Sequence, residues 1–258
     1  MDFKNKVAIV TGAGQGIGLE ICRQLVAQGG HVILNDLDAV LVHEAVAKID
    51  LKNGKCIPFI GDSGDIAVIR QMVDTAVTAY GKLDIVVANA GITLFGEFLG
   101  YAPESFFEVM RVNLGGSFFL AQAAAKQMKK QGLGGSILFM SSVTGHQAHE
   151  NLAAYGMSKA ALEMLAKNLV IELSPYKITI NTVAPGATLT ERTMKDEDYL
   201  GTWQNITPLG RPASVDDIAR AVLFMVSDNA KHITGQSLVI DGGWTSVSPS
   251  PYKNNGRS

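Results

Sequence analysis

The chain has 258 residues, 47% of them hydrophobic and 18% charged, with a formal net charge of −2. Such a composition supports a substantial core and lacks the basic field that gathers nucleic acid, so small molecules are the expected ligands. Cys22 and Cys56 belong to no paired metal or redox motif and are expected as packing residues in a reducing compartment.

Short apolar runs take turns with longer stretches of helical periodicity. Strands are predicted at Val7–Val10, His31–Asn35, Lys55–Ile60, Asp84–Ala88, Ser136–Met140, Thr179–Val183 and Ser237–Ile240, and helices near 16–28, 39–52, 65–80, 103–130, 153–173 and 215–227. Apolar runs without polar alternation suit strands covered on both faces. The alternation predicts an α/β fold: one doubly wound Rossmann-type domain over residues 1–247, a seven-stranded parallel sheet with right-handed crossovers and helices on both faces. Residues 186–212, from Pro185-Gly186 to Pro208-Leu209-Gly210-Arg211-Pro212, are long for a connection and are expected to form a mobile lid. The tail, residues 248–258, is expected to be poorly ordered unless a neighbouring subunit pins it. No apolar run is long enough to span a bilayer, and Met1–Lys6 leads into a strand without a signal-peptide core. No membrane partner and a cytoplasmic setting are therefore expected.

Between the first strand and first helix lies Thr11-Gly12-Ala13-Gly14-Gln15-Gly16-Ile17-Gly18. A turn in this place aims backbone N–H groups and the positive helix end at a phosphate, and Gly12, Gly16 and Gly18 keep side chains out of the approach. Gln15 and Ile17 share the turn and count with it as cofactor-binding. Asp36 stands eighteen residues beyond Gly18, where a carboxylate accepts hydrogen bonds from ribose hydroxyls and repels a 2′-phosphate. No arginine or lysine lies in the glycine turn or directly after Asp36, so the cofactor read here is NAD. Asp36 can instead simply open the turn Asn35-Asp36-Leu37-Asp38, and Asp38 is the alternative discriminator. Tyr155 and Lys159 are four residues apart on a predicted helix, so an ammonium can share a face with a phenol and favour its ionised form, which makes a tyrosine base.

Taken in order, these residues resemble the classical branch of the short-chain dehydrogenase/reductase family over residues 5–245. The matching pieces are the Thr-Gly-x-x-x-Gly-x-Gly turn, Asp62, Asn89-Ala90-Gly91, Asn113, Ser142, Tyr155 with Lys159, Pro185-Gly186 leading to Thr190, and Asp241-Gly242-Gly243. Ala88 departs from the pattern, which often has a second asparagine there. The resemblance implies cofactor contacts from Asp62 with Ser63 and from Asn89, Ala90 and Gly91 at the adenosine end. It implies contacts from Pro185, Gly186, Thr188 and Thr190 at the nicotinamide carboxamide. Ser63 or Asp65 equally suits a helix cap. Asn113 is implied to hold a water that links Lys159 to solvent. The family serine stands thirteen residues before the tyrosine, which selects Ser142 over Ser141. Asn113, Ser142, Tyr155 and Lys159 form the implied catalytic set, for hydride transfer between NAD and a secondary alcohol or ketone.

His146 and His149 with Glu150 lack the further ligands of a metal shell, so no metal is expected. They are read as lining the substrate mouth with Asn151, Glu97, Glu191, Arg192 and Trp203, and His149 is taken with Ser142 and Tyr155 as substrate-binding. That polar rim favours a sugar, polyol or other small hydroxylated substrate. A 3-oxoacyl thioester and a non-catalytic NAD sensor are the alternatives. Small residues on the helices at 103–130 and 153–173, among them Ala121, Ala125, Ala161 and Ala166, serve core packing on one face; the resemblance implies that such helices also pair between subunits of a homotetramer.

Overall fold

Every residue of Val7–Val10 is buried and none is polar, so this strand has to run inside a sheet with layers on both faces. In the computed structural model, which describes residues 1–248, the elements run in the order β1 (Val7–Val10), α1 (Gly16–Ala27), β2 (His31–Asp36), α2 (Ala39–Ala47), β3 (Lys55–Ile60), α3 (Ile66–Tyr80), β4 (Ile85–Ala88), α4 (Pro103–Val109), α5 (Ser117–Gln131), β5 (Gly135–Met140), α6 (Ala153–Leu173), β6 (Ile178–Pro185), β7 (Thr188–Leu189), α7 (Tyr199–Ile206), β8 (Ala213–Ser214), α8 (Val215–Val226) and β9 (Ser237–Ile240). Seven strands form one parallel sheet in the order β3-β2-β1-β4-β5-β6-β9. The predicted tail falls almost wholly outside the described residues.

Side chains alternate across the sheet into two cores. Ala8, Val10, Val32, Leu34, Val87 and Leu138 pack toward α1, α2 and α8, while Val7, Ile9, Ile33, Val86, Ile137 and Phe139 pack toward α3, α5 and α6. Each fully buried aliphatic side chain contributes about 1.5–3 kcal/mol of transfer free energy, which is why the central strands β1 and β4 carry no polar residue. Because β1 neighbours both β2 and β4, the chain reverses its direction of travel across the sheet there, and a crevice opens at the carboxyl ends of β1 and β4.

Three elements differ from expectation. The helix predicted over 39–52 stops at Ala47, because Asp50 turns its carboxylate back to the Lys52 N–H and gives the chain a turn in place of helix. The helix predicted over 103–130 is two helices joined by a π turn, Met110–Gly116, whose wider ring aims Asn113 inward. The 186–212 segment carries structure of its own: β7 pairs with β8, and α7 lies between them. Among the described residues no helix is long and apolar enough to cross a membrane.

Candidate active site

Helix starts show where the chain leaves backbone donors open. Asp38 caps α2, Asp65 caps α3, and Ser214 with Asp217 makes a reciprocal capping box on α8. At the start of α1, Gln15 supplies no capping side chain. Its first N–H, on Gly16, donates instead to Glu191 Oε2 at 2.9 Å, a carboxylate reaching over from the segment after β7. A helix N-terminus with free donors and a carboxylate standing on it is an anion site, and a dinucleotide diphosphate suits that donor set.

The turn ahead of α1 is braced from β4. Asn89 Nδ2 donates to the Thr11 and Gly12 carbonyls, both at 2.9 Å, and Thr11 Oγ1 accepts from the Asn89 and Ala90 N–H groups, both at 3.1 Å. Gly12 has φ +60°, and a Cβ there would lie 2.7 Å from the Ala90 Cα, so only glycine permits this approach. Asn89 thus spends its amide on holding the glycine turn, a tie the resemblance did not suggest. Asp36 faces the same turn, Oδ2 accepting from the Gly14 N–H at 2.9 Å, whereas Asp38 accepts from the Val40 and Leu41 N–H groups at 2.8 and 3.2 Å. Of the two carboxylates, Asp36 is the one at the glycine turn.

Beyond β5 the chain reaches Ser141 and Ser142, and the start of α6 brings Tyr155 and Lys159 against them. A cleft of about 230 Å³ is lined by Ser142, Tyr155 and Lys159 together with Asn89, Gly91, Pro185, Gly186, Thr188 and Thr190. Lys159 is only 3% exposed, and its Nζ donates to the Met140 carbonyl at 2.8 Å and lies 5.5 Å from the centre of the Tyr155 ring. Burial pushes its pKa below the ordinary lysine value, and the charge of Tyr155 pulls it back up. Asn113 is fully buried: Oδ1 accepts from the Ile92 N–H at 2.8 Å, and Nδ2 donates to the Ile92 carbonyl at 3.0 Å and to Ser158 Oγ at 3.1 Å. Asn113 Oδ1 and Lys159 Nζ flank one spot, since a Cβ on Gly91 would lie 3.3 and 3.2 Å from them.

Other expected residues lie farther out. Asp62 accepts from the Gly64 N–H at 2.7 Å and pairs with Arg111 Nη1 at 2.8 Å, while Asp65, not Ser63, caps α3. Thr188 Oγ1 donates to the Gly186 carbonyl at 3.0 Å. The two histidines point apart: His146 lies 2.9 Å from Glu163, and His149 packs on Trp244 with ring centres 5.0 Å apart. His149 is therefore part of an aromatic rim and does not line the cleft with Ser142. Burial lowers its pKa. Thr93, Tyr199 and Thr193 line the cleft and were missed; they sit in irregular connecting segments and at the start of α7, where no local pattern marks them.

Residues 12–245 match a family model described as enoyl-(acyl carrier protein) reductase. The chain is 35% identical over 249 residues to an L-rhamnose 1-dehydrogenase (NAD(P)(+)) of Azotobacter vinelandii, covering 93% of this chain and 96% of that one. It is also 35% identical to a tetrahydroxynaphthalene reductase of Pyricularia oryzae, with 93% and 90% covered. A 3-ketoacyl-(acyl-carrier-protein) reductase from Brucella melitensis, solved with NADH, superposes with a TM-score of 0.87 at 29% identity over 95% of this chain and 100% of that one. Matched over nearly its whole length by that family model and by relatives of 35% identity, the chain belongs to the short-chain dehydrogenase/reductase family and is an oxidoreductase.

Proposed function

We propose that the chain interconverts a secondary alcohol and a ketone of a small polyhydroxylated substrate, a sugar or polyol, in a single domain of residues 1–247. The observation that carries the reading is the convergence of Ser142, Tyr155 and Lys159 on one cleft at the carboxyl edge of the sheet. Bound NAD supplies the hydride acceptor. Tyr155 Oη takes the hydroxyl proton of the alcohol on oxidation and returns it to the carbonyl oxygen on reduction. Ser142 Oγ donates to that same oxygen as charge develops on it. Lys159 holds the phenolate by charge, and that negative charge in turn favours the ammonium form of the buried lysine.

The remaining residues hold and orient the cofactor. Gly12, Gln15, Gly16, Ile17 and Gly18 cradle the diphosphate, Asp36 takes the adenosine ribose hydroxyls, and Asp62 and Ser63 meet the adenine. Asn89, Ala90 and Gly91 shape the floor. Pro185, Gly186, Thr188 and Thr190 receive the carboxamide, and Lys159 the nicotinamide ribose. Asn113 fixes the Ile92 backbone beside Lys159. Thr93, Arg192 and Thr193 give the cleft hydroxyl and guanidinium donors suited to a hydroxylated substrate, and the rhamnose dehydrogenase likeness supports the same class.

A homotetramer is proposed on the exposed apolar side chains Phe107, Phe118, Phe119 and Met164 around the groove between α4, α5 and α6. The cytoplasm is proposed on the two free cysteines, Cys22 buried and Cys56 half-buried.

The test is a panel of aldoses, ketoses and polyols scored by NADH formation or consumption, with acetoacetyl-coenzyme A as the thioester arm. Turnover confined to the sugars and polyols supports the proposal. Turnover confined to the thioester favours the second reading, drawn from the Brucella likeness. NADH binding without turnover on any arm refutes both and leaves a sensor.

A further inference from the structure

Tyr155, Lys159 and Glu163 follow each other at four-residue spacing, so they lie along one face of α6. Reaction chemistry uses the first two. Glu163 has a side chain only 11% exposed, an expensive place for a carboxylate unless its oxygens are met. One of them, Oε1, is met from the segment that carries Ser142. Ser141 Oγ donates to Glu163 Oε1 at 2.6 Å and approaches the Lys159 carbonyl at 3.2 Å, and His146 Nε2 reaches the same Glu163 oxygen at 2.9 Å. One carboxylate oxygen thus grips the segment on both sides of Ser142.

The loop lies flat on the helix for the same purpose. A Cβ on Gly145 would come 3.1 Å from the Ala160 nitrogen and 3.2 Å from Glu163 Oε1, and one on Gly156 would come 2.8 Å from the Thr144 carbonyl. Between these contacts Ser142 Oγ accepts from the Thr144 N–H at 3.2 Å, so its own rotamer is set by the backbone that Glu163 holds. The helix that bears Tyr155 and Lys159 is therefore tied directly to the loop that bears Ser142.

We propose that Glu163 is a positioning residue for the reaction: it sets the separation of Ser142 from Tyr155 by clamping Ser141 and His146 to α6. The proposal rests on the redox reading of the cleft. Misplacing a reacting group by about an ångström can cost on the order of a hundredfold in rate, and a loosened clamp costs part of that.

The experiment compares Glu163→Ala, Glu163→Gln and Ser141→Ala with wild type in kcat, KM, NADH affinity, melting temperature and amide exchange over residues 141–147. Glu163→Ala is expected to lower kcat by about tenfold or more with NADH affinity within about twofold of wild type. Glu163→Gln keeps an acceptor for Ser141 Oγ and recovers most of that loss. Faster exchange over 141–147 in Glu163→Ala needs no substrate to be seen. Wild-type kcat in folded Glu163→Ala, or unchanged exchange in that segment, overturns the proposal. Should Glu163→Ala not fold, Ser141→Ala opens one arm of the clamp and is expected to lower kcat in the same direction; no change there overturns it equally. A wild type inactive on the whole substrate panel counts against the function, whereas the exchange result bears on the clamp alone.

Discussion

Replacing Glu191 with alanine is expected to tighten cofactor binding. The Glu191 carboxylate accepts from the Gly16 N–H at 2.9 Å, the donor at the open end of α1 that we propose for the cofactor diphosphate. Two anions cannot share one N–H at a positive helix end, so binding must exchange one for the other. Glu191 is an exposed residue, which puts its hold near the surface value for an anion at a helix N-terminus, about 0.3–1 kcal/mol. The charge-assisted hydrogen bond raises this toward the upper end, and about 1 kcal/mol corresponds to roughly fivefold in a dissociation constant. Glu191→Ala should therefore lower the Kd of NADH about fivefold, and Glu191→Gln by less, since its amide oxygen still accepts a hydrogen bond.

Fluorescence titration with NADH measures the effect, and parallel calorimetry with ADP-ribose and with adenosine locates it. ADP-ribose carries the diphosphate and should gain as NADH does; adenosine lacks it and should not. An NADH Kd that is unchanged or weaker in Glu191→Ala refutes the reasoning. An equal gain for adenosine refutes it too, because the carboxylate would then be acting through the segment after β7 as a whole and not at the Gly16 N–H.

Tyr155→Phe keeps the ring and removes the proton carrier, so kcat should fall by on the order of 10²–10⁴ while NADH still binds; turnover near the wild-type rate on any accepted substrate removes Tyr155 from the mechanism. Asp36→Ala takes away the carboxylate at the glycine turn and should shift the NAD-to-NADP efficiency ratio by about tenfold toward NADP, and an unchanged ratio in steady-state kinetics excludes Asp36 as the discriminator. His31 has its pKa lowered by burial first and then by Lys55 and Lys82, so the unfolded chain binds a proton more readily than the folded one. Stability then falls as pH drops through about 6.5 toward the lower folded value, and His31→Phe, which keeps the stack on Tyr80, should flatten the melting temperature between about pH 7 and pH 5. An equally steep acid slope in the variant would mean that other groups set it.

Much of this molecule can be read from its residues because its central strands, β1 and β4, are apolar on both faces. An apolar run with no alternation has to be covered twice, and that alone predicts the layered parallel sheet. The glycine turn and the Tyr155–Lys159 pair are equally local: the first is set by backbone sterics, the second by helical spacing. What escaped depends on contacts between distant segments. Helical periodicity over 103–130 does not register the extra residue per turn at Met110–Gly116, because the apolar side chains on either side keep their rhythm. Asp36 and Asp38 are equivalent in a turn until α2 claims Asp38 as its cap. Nothing near Glu191 in the chain announces Gly16, and nothing near Asn89 announces the Thr11 carbonyl.

The site's precision comes from one pairing that the sequence pattern treats as two unrelated elements. β5 ends at Met140 and runs on into Ser141 and Ser142, and α6 answers with Lys159 on the Met140 carbonyl and Glu163 on Ser141. Beneath them Phe139 and Ile137 of β5 share a core with Leu162 and Ala166 of α6, all at most 1% exposed, so the strand and helix cannot slide without opening that core. Dense packing permits only discrete arrangements of such a pair. The groups at the top of the pair inherit that restriction, which keeps Ser142, Tyr155 and Lys159 in register around the cleft.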